Sequence, residues 1–304
     1  MTGLELDVVD DSVRALFHSA ATLEEVASGG TWFEGPAWLG TTLVWSDVVG
    51  NRLHAWDRAR GARVWIDPSF HQNGHTVDRQ GRLLAASHGE RAVVRREHDG
   101  RWTIVADLID GARFHSPNDL VVASDGAVWF TDPRYGLDKP TEGFGGSPEI
   151  DGTHVYRVDP RGMVGGVRNV TRHSPPMPAP NGLAFAPDES VLYVADSEAS
   201  HILGFVVRMS LDGPELGRRW VVHETIHGWP DGIRVDPTGR IWSSSTAGVE
   251  ILAPPSAVGR PARHLGTLHT PFTTANLAFS PDLATLALTA TSSVFLVRLG
   301  DVSV

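Results

Sequence analysis

One short motif recurs along this chain and constrains its fold more than any other feature. An acidic or amide residue is followed, in most copies, by glycine and then by a β-forming run. The copies are Glu34-Gly-Pro-Ala-Trp38, Asn73-Gly-His-Thr-Val77, Asn118-Asp-Leu-Val-Val122, Asn181-Gly-Leu-Ala-Phe185, Asp231-Gly-Ile-Arg-Val235 and a weaker Ala275-Asn-Leu-Ala-Phe279. Their first residues are separated by 39, 45, 63, 50 and 44 residues. Repeats of about 40–50 residues are typical of the four-stranded blades of a β-propeller.

The runs that follow each copy supply the other strands of a blade. Residues 81–87, 126–132 and 190–196 are apolar runs that begin at or near a turn signal, and third strands follow most of them. Such turns between strand-like runs predict antiparallel hairpins. The sequence therefore predicts an all-β, six-bladed β-propeller with four-stranded blades. We expect a single domain over residues 1–304, with the propeller spanning residues 22–299.

The two chain ends are predicted to meet in one blade. Residues 22–28 have the pattern of an outer strand and would complete the blade begun by residues 275–299, so that an N-terminal outer strand closes the ring. A closed ring exposes few strand edges, which favours a soluble fold. Residues 1–20 form an N-terminal extension with a short helix expected over residues 12–18.

Two Gly/Pro-rich insertions account for the widest interval between motif copies. They cover residues 133–152 and 171–180. Their composition predicts loops, and long loops in a compact fold are commonly functional. We expect both to flank the mouth of the tunnel.

Composition excludes several classes of function. The chain has no Cys, which excludes thiol nucleophiles and thiolate metal sites, and its single Lys, Lys139, lies in a loop. A net charge of −10 without a basic run disfavours nucleic-acid and membrane-surface partners and leaves a small-molecule substrate. No apolar stretch is long enough to span a membrane and no secretory leader is visible, so a cytoplasmic location is expected.

The first position of the motif is occupied almost throughout by oxygen-bearing side chains. In a propeller the first strand of each blade lines the central tunnel, so these positions are expected to face one another. They are Glu34, Asn73, Asn118, Asn181, Asp231 and Ala275. Carboxylate and amide oxygens without His or Cys suit one hard divalent cation, predicted to be calcium, with magnesium, manganese, zinc or iron as alternatives. The other interpretation is that Asn-Gly and Asp-Gly recur simply as turn formers.

The second position of the motif carries a carboxylate in the third copy, Asp119. A carboxylate beside a metal ion is a candidate general base or orienting group. The alternative is that Asp119 only caps the turn that begins its strand.

These motifs resemble those of the gluconolactonase/regucalcin (senescence-marker-protein) family of six-bladed propeller hydrolases. The resemblance covers about residues 22–299. It rests on Glu34-Gly-Pro, Ser116-Pro-Asn-Asp119, Phe130-Thr-Asp-Pro133, Pro180-Asn-Gly182 and Pro230-Asp-Gly232. It implies that Glu34, Asn118, Asn181 and Asp231 are the side-chain ligands of a catalytic divalent ion. It also implies that Asn73, His115 and Asp119 line the substrate side, although paraoxonase-type relatives have a His at the position of Asn73.

The resemblance implies a metal-dependent hydrolase that opens a small, sugar-derived lactone. The ion would polarise the lactone carbonyl while Asp231 or Asp119 takes a proton from the attacking water, or the ion itself would activate the water. A phosphotriester hydrolase of the diisopropyl fluorophosphatase type and a non-catalytic calcium-binding propeller are the alternatives. The oligomeric state is left open.

Two further patterns have structural interpretations. His223-Glu-Thr-Ile-His227 matches the H-E-x-x-H zinc motif, which requires a helix. The repeat places it instead on an outer strand, where positions four apart are separated by about 13 Å. Asp47, Asp132 and Asp196 end second strands and are expected to accept hydrogen bonds from turn amides.

Overall fold

The computed structural model describes residues 2–164, 167–210 and 213–302, and these residues are almost entirely β-structure. An N-terminal segment precedes the first motif copy. It contains β1 (Thr2–Gly3), β2 (Leu6–Val8), a 3-10 helix (Asp11–Leu16) and β3 (Thr22–Ser28). The 3-10 helix occupies most of the range in which a short helix was predicted. Asp10 caps it by accepting the Ser12 amide at 2.9 Å.

Three four-stranded blades follow. Blade 1 contains β4 (Phe33–Leu39), β5 (Thr42–Asp47), β6 (Arg52–Asp57) and β7 (Gly61–Ile66). Blade 2 contains β8 (Gln72–Val77), β9 (Leu83–Ser87), β10 (Ala92–Arg96) and β11 (Trp102–Ala106), followed by the small hairpin β12 (Leu108–Ile109) and β13 (Ala112–Arg113). Blade 3 contains β14 (Leu120–Val122), β15 (Val128–Asp132), β16 (His154–Val164) and β17 (Val167–Arg172).

Three further blades complete the chain. Blade 4 contains β18 (Pro180–Phe185), β19 (Val191–Asp196), β20 (His201–Ser210) and β21 (Gly213–Glu224). Blade 5 contains β22 (Ile233–Val235), β23 (Ile241–Ser245), β24 (Gly248–Leu252) and β25 (His264–His269). Blade 6 contains β26 (Thr274–Phe279), β27 (Thr285–Ala290) and β28 (Ser293–Arg298). The predicted all-β, six-bladed propeller with four-stranded antiparallel blades is confirmed.

Strand order follows chain order within each blade, with the motif-bearing strand at one edge. In blade 6 the fourth strand comes from the N-terminus: β3 pairs antiparallel with β28, placing Ser28 opposite Ser293. This is the pairing that the sequence predicted for residues 22–28. The N-terminal segment also lengthens two blades, because β1 pairs with β3 and β2 pairs with β25.

The chain forms two compact units, one of Met1–Pro36 with Gly182–Val304 and one of Ala37–Asn181. We call them the terminal unit and the central unit. Within each unit, apolar side chains from neighbouring blades form the core. Trp242 of blade 5 and Leu277 of blade 6 share one cluster, and Leu84 of blade 2 and Phe130 of blade 3 share another. The single domain predicted from the sequence stays a prediction.

The sequence predicted a loop over residues 133–152, but this insertion is only partly loop. It contains two single-turn helices, α1 (Tyr135–Asp138) and α2 (Pro140–Gly143). Proline at the first position of α2 fixes a helical φ where its missing N–H costs nothing. The second insertion begins within β17, so its first two residues are strand. Among the described residues, no helix is both long and apolar enough to cross a membrane.

Candidate functional site

The glycines of the repeated motif bring neighbouring blades together inside each unit. In three copies, the amide of the motif glycine donates a hydrogen bond to the backbone carbonyl of the first residue in the next copy. These bonds join Gly74 to Asn118 (2.8 Å), Gly182 to Asp231 (3.0 Å) and Gly232 to Ala275 (2.8 Å). A Cβ atom at Gly182 would lie 2.3 Å from the Asp231 carbonyl oxygen, so a side chain cannot be accommodated there. The backbone of each following motif residue is therefore positioned by a glycine one blade earlier.

Asp119 and Asn276 occupy equivalent places at the second motif position. Asp119 Oδ1 accepts the amide of Leu120 at 2.8 Å, and Asn276 Oδ1 accepts the amide of Leu277 at 2.9 Å. Each also lies against the glycine of the preceding copy, since a Cβ at Gly74 would be 2.5 Å from Asp119 Oδ1. Both residues are buried. Asn276 was not predicted from the sequence, where the sixth copy pointed only to its first residue, Ala275.

The terminal unit buries both carboxylates of the predicted ligand set. Glu34 lies in β4 and is 3% exposed, and its Oε2 accepts the Gly35 amide at 2.9 Å. Asp231 precedes β22 and is 8% exposed. The residue before it is also held, because Ser197 Oγ donates to the Pro230 carbonyl at 2.7 Å. Two buried acidic side chains are costly to ionise unless a positive group compensates them.

The central unit buries the two amide residues of the predicted ligand set. Asn118 is 3% exposed and Asn181 is 4% exposed. The Asn118 amide nitrogen of the backbone donates to the Thr131 carbonyl at 2.9 Å, whereas its side chain makes no hydrogen bond to any other described residue. Buried side-chain amides are normally hydrogen-bonded, so this one is available to bind an ion, a water molecule or a substrate.

His115 is anchored on one side and unsatisfied on the other. Its Nε2 lies 2.9 Å from the Gly152 carbonyl, which can only accept, so Nε2 carries a proton. Burial lowers the pKa of His115, which favours the neutral ring with a lone pair on Nδ1. Nδ1 is buried and has no hydrogen-bond partner among the residues that the structure describes. The predicted substrate-side histidine therefore offers a free acceptor.

Asp132 positions the segment that leads to Asn118. It accepts hydrogen bonds from the backbone amides of His115 (2.9 Å) and Ser116 (2.8 Å). The expectation of a turn-capping role is confirmed for Asp47, which accepts the Gly50 amide, but is wrong for Asp132, whose donors lie 17 and 16 residues earlier. Complete burial raises the pKa of Asp132 from 3.8 to about 7, although the two amides and Arg91 favour the charged form.

We expect the Asp132→Asn variant to lose part of the pH dependence of stability. Between pH 3.8 and about 7 the folded chain holds a proton on Asp132 that the unfolded chain does not. Its contribution therefore favours folding at pH 4 and declines as the pH rises towards 7, by up to about 4 kcal/mol. Denaturant unfolding at a series of pH values measures the slope. The exposed Asp138→Asn control should keep the wild-type slope, and an unchanged slope in Asp132→Asn would contradict the assignment.

Only the first half of the H-E-x-x-H sequence lies on the predicted outer strand, and His227 lies in the bend that follows it. His223 and Glu224 end β21, the edge strand of blade 4. The His223 ring pairs with Glu250 of β24, Nε2 to Oε2 at 2.6 Å, and Glu250 also accepts the His227 amide at 2.9 Å. The fully buried Glu250 carboxylate thus holds the turn around His227, which leads to Asp231, by hydrogen bonds.

The donor chemistry of the predicted set fits a hard divalent cation. It combines two buried carboxylates with two buried amides, one of them without a hydrogen bond to the described residues. No cluster of three or more His, Cys, Asp and Glu side chains suited to a metal is found in the described part of the chain. The predicted set contains only two such residues, so its amides are essential to it.

Comparisons with known proteins agree with this reading of the motifs. A family model described as "SMP-30/Gluconolactonase/LRE-like region" matches residues 32–292. A gluconolactonase of Zymomonas mobilis subsp. mobilis is 29% identical over 93% of this chain and 83% of its own length. The pentonolactonase XacC of Haloferax volcanii is 29% identical over 75% of this chain and 72% of its own length.

A solved structure gives the same result for the fold. The structure of a gluconolactonase from Xanthomonas campestris, described as important in glucose secondary metabolic pathways, superimposes with a TM-score of 0.88. Its sequence is 35% identical, and the match covers 98% of this chain and 97% of that one.

Proposed function

The chain belongs to the SMP-30/gluconolactonase/LRE-like family, and from this membership we propose that it is a divalent-metal-dependent lactonase for small, sugar-derived lactones. The names of its relatives support hydrolysis of sugar lactones, since two of them are a gluconolactonase and a pentonolactonase. The observation on this chain that carries the proposal is the buried Asn118 amide, which makes no hydrogen bond to another described residue although it sits in the motif.

Glu34, Asn118, Asn181 and Asp231 would hold the ion. Carboxylate and amide oxygens are the ligands that calcium prefers, with magnesium and manganese next. A bound divalent ion supplies Lewis acidity, which polarises the lactone carbonyl and stabilises negative charge on its oxygen. The structure supports the donor set through the burial of all four residues.

A carboxylate acts as the general base that takes a proton from the attacking water. Water adds to the carbonyl carbon and gives one proton to Asp231 or Asp119, the ring C–O bond breaks, and the leaving oxygen takes a proton to become a hydroxyl group. The product is a hydroxy acid. Asp119 is fully buried with Oδ1 engaged by the Leu120 amide, whereas Asp231 is slightly exposed. We therefore favour Asp231 as the base and Asp119 as an orienting group.

Two neutral residues would orient the substrate. His115 offers the unpaired Nδ1, and Asn73 offers a side-chain amide in β8. Both are suited to the hydroxyl groups of a sugar lactone, which donate and accept hydrogen bonds. Neither contributes a charge that would compete for the ion.

The experiment is a lactone panel followed by pH-stat, with an organophosphate triester as the comparison substrate. Turnover of glucono-δ-lactone that is lost on chelation and returns with calcium supports the proposal. Turnover of the triester but of no lactone would favour the phosphotriester hydrolase instead. Metal binding without turnover of either substrate would indicate a binding protein.

A further inference from the structure

The insertion at residues 133–152 is fitted closely onto one buried histidine. A Cβ atom at Gly136 would lie 2.7 Å from His88 Cβ, and a Cβ at Gly143 would lie 2.9 Å from the same atom. Neither glycine has a positive φ, so close approach is the reason that each is required. Helices α1 and α2 therefore rest directly on His88, which is not exposed.

A second contact fixes the same insertion. The ring of Phe144, which follows α2, meets the ring of His71 edge-on with 4.6 Å between centroids. Phe144 has φ +67° and His71 has φ +52°. Non-glycine residues adopt this left-handed conformation only at an energetic cost, so tertiary contacts must hold them there. The insertion is thus a defined part of the central unit.

His88 connects the insertion to Asn73. Its Nδ1 lies 3.0 Å from the backbone carbonyl oxygen of Glu142, and its Nε2 lies 3.3 Å from Asn73 Nδ2. The carbonyl can only accept, so Nδ1 carries the proton. Burial lowers the pKa of His88 to about 4, so the ring is neutral at physiological pH and Nε2 is an acceptor.

The orientation of the Asn73 side chain follows from that tautomer. Nε2 can only accept, so Asn73 must turn its NH₂ group towards His88. The other end of the amide, Oδ1, makes no hydrogen bond to another described residue. The opposite orientation would bring two acceptors together.

We propose that the 133–152 insertion acts through His88 to fix the Asn73 side chain so that its Oδ1 accepts a hydrogen bond from a substrate hydroxyl group. His88 is a positioning residue and does not touch the substrate. The inference rests on the proposed lactonase function and deepens it, because an Asn73 side chain fixed in this way favours lactones that carry hydroxyl groups over unsubstituted ones. A site built to bind a hydroxyl group discriminates against analogues that lack it, since its polar atom is then left unpaired.

The test compares two substrates in matched variants. His88→Leu cannot accept from Asn73, and we expect kcat/KM for glucono-δ-lactone to fall about 10- to 100-fold, as for other orienting partners. The value for δ-valerolactone, which has no hydroxyl groups, should change less than about 3-fold. His88→Gln keeps one donor and one acceptor and should restore most of the discrimination. An equal loss on both lactones in His88→Leu would overturn the proposal.

Two further variants test the role of the insertion. Gly143→Ala should displace α2 and reproduce the His88→Leu effect, because its Cβ would meet Gly136 Cα at 2.5 Å. Glu142→Ala removes the side chain but keeps the carbonyl, and His98→Leu replaces an exposed histidine. Both controls should behave like the wild type. Wild-type discrimination in Gly143→Ala would remove the insertion from the proposal.

A spectroscopic readout separates this inference from the lactonase proposal. Nitrogen-15 NMR of histidine-labelled protein should show His88 with a protonated Nδ1 and an unprotonated Nε2. If the wild type turns over no lactone, the proposed function fails, yet this tautomer and the resulting Asn73 orientation can still be confirmed. A protonated Nε2 would overturn the positioning role whether or not lactones are hydrolysed.

Discussion

Asp231→Asn is expected to lower kcat/KM for glucono-δ-lactone by about 10²- to 10⁴-fold, the range for loss of a positioned general base. The substitution keeps the size of the side chain and removes its basicity and charge. The backbone contacts at this position do not depend on the side chain, because Gly182 donates to the Asp231 carbonyl and Ser197 to the Pro230 carbonyl. We therefore expect near-normal folding, to be checked by thermal unfolding, with activity measured by pH-stat.

Two further variants test whether the loss of activity is specific to Asp231. Asp188→Asn makes the same chemical change at an exposed site of the terminal unit and should leave activity unchanged. Asp119→Asn keeps an oxygen for the Leu120 amide and, for an orienting group, should cost less than Asp231→Asn. A larger loss in Asp119→Asn would reverse the two roles. Full activity in Asp231→Asn would exclude this residue as base and as an essential ligand.

The fold could be predicted because its signals are local and repeated. The second strand of blade 2 was expected over residues 81–87 and is Leu83–Ser87, and that of blade 4 was expected over 190–196 and is Val191–Asp196. Each is a buried apolar run bounded by a turn, and the six copies constrain one another. A single-turn helix such as α2 has no comparable signal, because four residues cannot show a helical period and their helix depends on tertiary packing.

The candidate site was only partly predictable for the same reason. The first motif positions are visible in the sequence, and the structure buries Glu34, Asn118, Asn181 and Asp231 as that pattern requires. The residue that orients Asn73 is not visible in the sequence, because its partners are distant in the chain. His88 meets a carbonyl 54 residues later, and nothing in its neighbouring sequence distinguishes it from a surface histidine. Backbone acceptors carry no residue-type signal at all.

Glu34→Gln is expected to weaken divalent-ion binding and to lower lactone hydrolysis more than about 10²-fold at a fixed low ion concentration. The substitution removes one of the two buried carboxylates and keeps an oxygen donor, so a large excess of calcium should restore part of the activity. Calcium should also raise the thermal stability of the wild type, by about 2.7 kcal/mol at one hundred times its dissociation constant. This stability measurement does not depend on knowing the substrate.

Removing the ion with a chelator and removing the Glu34 carboxylate should both lower activity and calcium-dependent stability. A chelator should remove both the activity and the calcium-dependent stability of the wild type, whereas Glu34→Gln should start near that chelated state and respond to calcium only at higher concentrations. Glu24→Gln, which neutralises a carboxylate in β3, the strand that precedes β4 in the chain, should titrate like the wild type. Linkage ties the calcium-dependent gain in stability to calcium affinity. The ratio of the calcium dissociation constants of Glu34→Gln and the wild type should therefore be the same whether calcium is titrated against activity or against stability. A chelator-insensitive wild type, or a Glu34→Gln variant with wild-type calcium affinity, would place the ion elsewhere or remove it from the reaction.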